Sequence, residues 1–138
     1  METTNKASIV GSLRECLADR QGVVAAYLFG SAAVGRLAAS SDIDVAILFQ
    51  KGHQPDPLQR LAFREELSDL LGRDVDLVIL DSAPVVLRMQ VLKKGELLVN
   101  RDPKRLSRFS VDTLNEYFDL KQARRPIEEK LGEASIYD

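Results

Sequence analysis

Leu28-Phe29-Gly30-Ser31, then ten residues, then Asp42-Ile43-Asp44-Val45-Ala46-Ile47-Leu48-Phe49: this stretch decides the reading of the chain. In a strand, residues i and i+2 share a face. Asp42 and Asp44 therefore lie together, while Ile43, Val45, Ile47 and Phe49 point the other way. Two adjacent carboxylates resist joint ionisation. A fold built for stability alone would rarely set them at the mouth of an apolar strand. A hard divalent cation removes the conflict, because it takes several carboxylate oxygens. A second acid-headed strand follows at Asp74-Val75-Asp76-Leu77-Val78-Ile79-Leu80. Asp76 can complete a three-carboxylate site there, and such a site can hold two Mg²⁺ ions for displacement at phosphorus. Asp76 is preferred because it sits deeper in the strand, where an unpaired carboxylate costs more; Asp74 is the alternative.

Working outward from this stretch, Ile9, Leu13, Cys16 and Leu17 give an amphipathic first helix over roughly residues 6–20. Val23 to Phe29 reads as a buried strand and Ser31 to Leu37 as a short helix. Lys51 to Pro57 is a loop. Leu58 to Leu71 is a helix burying Phe63, Leu67, Leu70 and Leu71, and Gly72 stops it. Ser82 is expected to cap a helix with Pro84 in its first turn, running to about Lys94. Glu96 to Asn100 is a short fourth strand. A last helix, Asp102 to Arg125, carries Leu106, Phe109, Thr113, Leu114, Tyr117 and Phe118 on its apolar side. Pro126 breaks or kinks it, and a charged tail follows. The pattern is an α/β (α+β) fold: a small mixed sheet flanked by helices, with a C-terminal helix. Residues 1–100 form the core, 101–125 the helix and 126–138 the tail, within one domain.

Composition narrows the function. The chain has 138 residues, 45% apolar and 29% charged, with a net charge of −2. One domain with one core is expected. A chain that grips long nucleic acid is usually basic, which disfavours a duplex-binding role. The single cysteine, Cys16, excludes an internal disulfide framework. No signal-peptide pattern or membrane-length apolar run is present, so the expectation is a cytoplasmic protein.

Gly30 to Leu37 has the glycine spacing of a phosphate-binding P-loop. Arg36 stands where that loop needs Lys, however, and Leu37 replaces the hydroxyl that would hold Mg²⁺. The P-loop reading fails. A strand-to-helix turn fits better: Gly30 permits close backbone approach, and Ser31 offers its hydroxyl and N–H to triphosphate oxygens. Alone, Gly30-Ser31 would be a plain turn; the Asp-x-Asp ten residues later gives it meaning. Arg36 is either a phosphate contact or a solvated loop cation. His53 is a surface residue. Arg101, Lys104, Arg105 and Arg108 form a basic helix face, solvated or set against an acidic partner.

With Gly30-Ser31-x10-Asp42-x-Asp44 and the later Asp76, the chain resembles the DNA polymerase β-like nucleotidyltransferase superfamily, and by size its minimal nucleotidyltransferases (MNT). The resemblance covers roughly residues 8–100. Many members carry an arginine four residues after the glycine; this chain has Val34 there, and Arg36 is the candidate substitute. The resemblance implies the polymerase β-like fold. It implies that Asp42 and Asp44 hold two Mg²⁺ ions, that Asp76 completes the acceptor-side metal, and that Gly30, Ser31 and Arg36 bind the nucleotide. Chains of this size resemble the antitoxin half of HEPN–MNT toxin–antitoxin modules. In those, AMP passes from ATP to a tyrosine of the HEPN ribonuclease toxin within a hetero-oligomer. The Asp102–Arg125 helix is the expected docking element. Two other functions compete: a non-catalytic antitoxin acting by steric binding, and a nucleotidyltransferase acting on a small hydroxyl compound such as an aminoglycoside.

Overall fold

A computed structural model describes the backbone over residues 5–33 and 42–130, and side chains over the same ranges apart from 31 and 124–130. Its elements are α1 (Lys6–Ala18), β1 (Val23–Phe29), β2 (Ile43–Phe49), α2 (Pro57–Leu71), β3 (Val75–Ile79), α3 (Val85–Lys94), β4 (Glu96–Asn100) and α4 (Pro103–Lys130). Two 3-10 turns, Gly30–Ala32 and Leu80–Ser82, follow β1 and β3. The four strands lie in the order β3-β2-β1-β4. β1 runs antiparallel to β2 and β4, and β2 runs parallel to β3. The sheet is mixed, as the sequence pattern implies.

Alternation along the strands feeds two cores. Ile43, Val45 and Ile47 of β2 and Val75, Leu77 and Ile79 of β3 pack with Ile9, Leu13 and Leu17 of α1 and with Phe63 and Leu67 of α2. The opposite face gives Val24, Tyr27, Ala46 and Leu48 to Val91 of α3 and to Leu106 and Phe109 of α4. Each helix is set by local chemistry. Asn5 caps α1 by accepting the Ser8 N–H at 2.8 Å. Asp56 and Gln59 form a reciprocal capping box on α2, with Pro57 behind the cap. Gly72 closes α2 in the left-handed region, at φ 66°.

Arginines reach carbonyls on both edge strands. Arg60 and Arg64 of α2 donate to the carbonyls of Leu77 and Val75, at 2.9 and 3.4 Å. Arg14 of α1 donates to the Leu98 carbonyl at 3.1 Å. Edge carbonyls occupied in this way are poor templates for an added strand.

The structure departs from the sequence reading at several points. Leu70 of α2 is exposed rather than buried, since Phe63, Leu67 and Leu71 already fill the face toward the sheet. Ser82 does not cap α3; it lies in the 3-10 turn, and Pro84 occupies the cap position without a side-chain bond. β2 starts at Ile43, so Asp42 stands just ahead of it. α4 continues through Pro126 to Lys130; a proline removes one helical hydrogen bond without obliging the helix to end. Residues 126–130 are therefore helix rather than tail, and the rest of the predicted tail lies outside the described residues. The short helix expected over 31–37 is a 3-10 turn as far as Ala32, and its remainder also lies outside the described residues.

The predicted apolar side of α4 splits. Leu106, Phe109 and Thr113 are buried, whereas Leu114 and Phe118 are 46% and 61% exposed. Val111 is exposed beside them. Of the predicted basic face, Arg105 turns inward to the sheet and Arg101 bonds the carbonyls of Arg20 and Val23. No described helix is long and apolar enough to cross a membrane.

Candidate active site

The parallel register of β2 and β3 places Asp44 directly beside Asp76. The antiparallel register of β1 and β2 places Asp44 beside Phe29, the last residue before Gly30. Asp44 alternates with Ala46 and Leu48, and Asp76 with Val78, so both carboxylates point to the α3–α4 side of the sheet. The pairing is thus fixed by hydrogen-bonded backbone rather than by loops.

Gly30 has φ 72°, a conformation that side chains other than glycine rarely adopt. A Cβ built there would lie 2.1 Å from Asp44 Oδ2. The Asp44 carboxylate therefore rests against the open face of the glycine, and the turn and the acid are one structural unit. The Ala33 N–H donates to the Gly30 carbonyl at 3.2 Å and closes the 3-10 turn.

Burial raises the Asp44 carboxyl above the ordinary carboxylate range. The Asp76 charge adds to this, then the Asp42 charge, then a hydrogen bond between the Asp44 and Asp76 side chains. Three acids thus act on one another at one corner of the sheet. Asp76 is itself exposed on β3, so depth in the strand does not set it apart from Asp74, which is exposed ahead of β3; what distinguishes them is that Asp76, not Asp74, acts on Asp44, and the Asp74 carbonyl accepts the Ile43 N–H at 2.9 Å. Arg36 lies outside the described residues.

Lys6 and Glu96, which the sequence pattern did not single out, also reach this corner. Lys6 Nζ donates to the Ala33 carbonyl at 2.9 Å and pairs with Glu96 Oε1 at 2.8 Å. Their separation along the chain hides the contact, and a lone lysine at a helix start carries no signal of it.

A divalent cation suits this donor set: hard oxygen ligands, and a half-buried acid with the Asp76 and Asp42 charges beside it. As it stands, no group of three His, Cys, Asp or Glu among the described residues is arranged to hold a metal. The carboxylates interact electrically without forming a closed cage.

Residues 12–104 match the family described as polymerase beta, nucleotidyltransferase. The protein adenylyltransferase MntA of Shewanella oneidensis is 34% identical over 129 residues, spanning 92% of this chain and 87% of MntA. A chain of a solved toxin–antitoxin structure with AMP-PNP is 32% identical, with a TM-score of 0.73, over 94% of this chain and 99% of that one. A chain of a tri-AMPylated Shewanella oneidensis HEPN toxin in complex with MNT antitoxin is 29% identical, with a TM-score of 0.72, over 93% and 99%. On its sequence match and its fold, the chain belongs to the polymerase beta nucleotidyltransferase family.

Proposed function

We propose that this protein is a Mg²⁺-dependent adenylyltransferase antitoxin. It moves AMP from ATP to a tyrosine hydroxyl of a HEPN-type toxin, releases pyrophosphate and so neutralises the toxin. Membership of the family brings a nucleotide substrate and, typically, a divalent metal. The observation that carries the reading is the corner where Gly30 seats Asp44 beside Asp76. The similarity to MntA over nearly the whole chain supports the protein acceptor. The solved HEPN toxin–MNT antitoxin complex supports the partner, and AMP-PNP in a related complex supports ATP.

In this reading Asp42 and Asp44 would hold both metal ions and Asp76 would help to hold one of them. The ions, when bound, supply positive charge to the attacking and leaving oxygens at the α-phosphate. The turn at Gly30-Ser31 receives the triphosphate on backbone N–H groups, and Arg36 adds a cation. The phenol oxygen attacks the α-phosphorus in line as the bond to pyrophosphate breaks. Asp76 takes up the phenol proton. The chain's own contribution is chiefly to hold the two reactants in line.

The toxin is expected to dock on α4. Val111, Leu114 and Phe118 recur there at helical spacing and are exposed.

Incubating the chain with Mg-ATP and the HEPN-type protein it binds should add AMP mass to a tyrosine peptide of that protein. Asp44→Asn should lose the adduct while keeping the complex. Neutralisation of the toxin by Asp44→Asn with no adduct formed would replace catalysis with steric occlusion.

A further inference from the structure

We infer that Lys6 and Glu96 are positioning residues for nucleotide binding: together they strap the Gly30–Ala33 turn to the sheet. The inference rests on the nucleotide reading of that turn and adds two residues that act through it. The turn must present backbone N–H groups at fixed angles to be of use to a triphosphate. At its far end the Ala33 N–H donates to the Gly30 carbonyl at 3.2 Å, at the long limit for such a bond. Something outside the turn must therefore hold its far end.

Lys6 does this from α1. Its ammonium donates to the Ala33 carbonyl at 2.9 Å, a bond between segments 27 residues apart. A charged donor makes that bond stronger than a neutral one. Lysine alone would be a loose tether, because its stem has four rotatable bonds. Glu96 removes that freedom. Its carboxylate holds Lys6 Nζ at 2.8 Å, and it sits at the start of β4 in register with Leu28 of β1. Leu28 lies just before the turn. The strap thus runs from the strand neighbouring β1, through the lysine, to the residue just past the turn, and it brackets the turn on both sides. Both side chains are part-exposed, 39% and 35%, so the pair adds little to overall stability. Its effect is local.

An alternative role for Lys6 is direct contact with the phosphates, and the sign of one mutation separates the two. If Lys6 positions the turn, Glu96→Gln loosens the lysine and weakens binding. If Lys6 is a phosphate ligand, Glu96→Gln frees its charge and tightens binding.

The experiment is calorimetry of the full chain with AMP-PNP in Mg²⁺ buffer, with melting curves alongside. Lys6→Met should weaken binding about fivefold, the size of one charge-assisted bond lost at a part-exposed site. Lys6→Arg should restore most of it, and Glu96→Gln should weaken it about twofold. In transfer assays KM for ATP should rise in Lys6→Met with kcat little changed. Should Lys6→Met fail to fold, Glu96→Gln and Lys6→Arg still decide by sign and rescue. Tighter binding in Glu96→Gln, or wild-type affinity in Lys6→Met, would overturn the strap while leaving the nucleotide site standing. A wild-type chain that binds no AMP-PNP would overturn the nucleotide site itself.

Discussion

Two carboxylates at opposite ends of one sheet have met opposite fates. At the far end of β2, Asp81 is nearly enclosed, its side chain 7% exposed, yet it is fully paired. It accepts the Phe49 N–H at 3.0 Å, Gln54 Nε2 at 3.0 Å and Arg105 Nη2 at 3.0 Å. Arg105 also donates to the Phe49 carbonyl, at 3.1 Å from Nε and 2.8 Å from Nη2. At the near end, Asp44 is half-buried among acids and no described side-chain cation pairs with it. The first arrangement fastens α4 to the sheet. The second keeps an electrostatic conflict that an added cation or a proton would relieve. Burial alone does not mark a functional acid; burial without a counter-charge does.

The comparison breaks most sharply at Asp44. Asp44→Asn keeps size and shape and removes the charge. Transfer should fall by more than about 10³-fold, or about 4 kcal/mol of transition-state stabilisation. Radiolabel transfer from ATP measures it, with circular dichroism to show that the chain is folded. Activity within tenfold of wild type would mean that Asp44 is no metal ligand.

At the other end the cost should be in stability. Arg105→Met strands the Asp81 carboxylate, and breaking such a pair costs about 3 kcal/mol. Chemical denaturation should register that loss, while AMP-PNP affinity stays near wild type. A large loss of affinity in a folded Arg105→Met chain would show that the two ends are coupled, and the contrast would fail.

Gly30→Val tests the seat beneath Asp44. A Cβ would enter the space of Oδ2, and φ 72° disfavours any branched residue. AMP-PNP binding should weaken at least about 100-fold, or roughly 2.7 kcal/mol. Ser31→Ala should do less, because the backbone N–H groups remain. Wild-type affinity in Gly30→Val would reduce the turn to a plain connection.

Much of the near end was legible in the sequence because it is periodic. Alternation put Asp44 opposite its apolar neighbours, and the parallel register then brought Asp76 rather than Asp74 alongside it. The caps of α2 are half expected from the sequence pattern: Gly72 is its stop, while the Asp56–Gln59 box is found only in the structure. Pairings between distant segments left no trace. Asp81 with Arg105, and Lys6 with Glu96 and Ala33, depend on how helices sit on the sheet, and single residues carry no period. The apolar side of α4 was misread for a related reason. Spacing identifies a stripe, but not how far along it the neighbouring helix reaches, and burial stops at Thr113.

The smallest effect concerns the stability of the metal-free chain. A carboxyl whose pKa is raised on folding stabilises the fold when protonated, and loses that contribution as pH rises through the raised value. Asp44 is such a group, by burial first and by Asp76 and Asp42 next. In EDTA the wild-type chain should therefore lose stability as pH climbs from about 4, the ordinary carboxylate value. Asp44→Asn cannot ionise and should lose less. Because the site is partly open to solvent, the difference at neutral pH should stay under about 1 kcal/mol. That corresponds to roughly 2–5 °C in melting temperature, in favour of the inactive variant. Added Mg²⁺ with nucleotide should stabilise the wild type and close or reverse the gap. Melting curves over this pH range, with EDTA or with Mg²⁺ and AMP-PNP, measure both effects. An Asp44→Asn chain less stable than wild type in EDTA at neutral pH would mean that the acids at this corner are not in conflict, and that Asp44 is as well satisfied as Asp81.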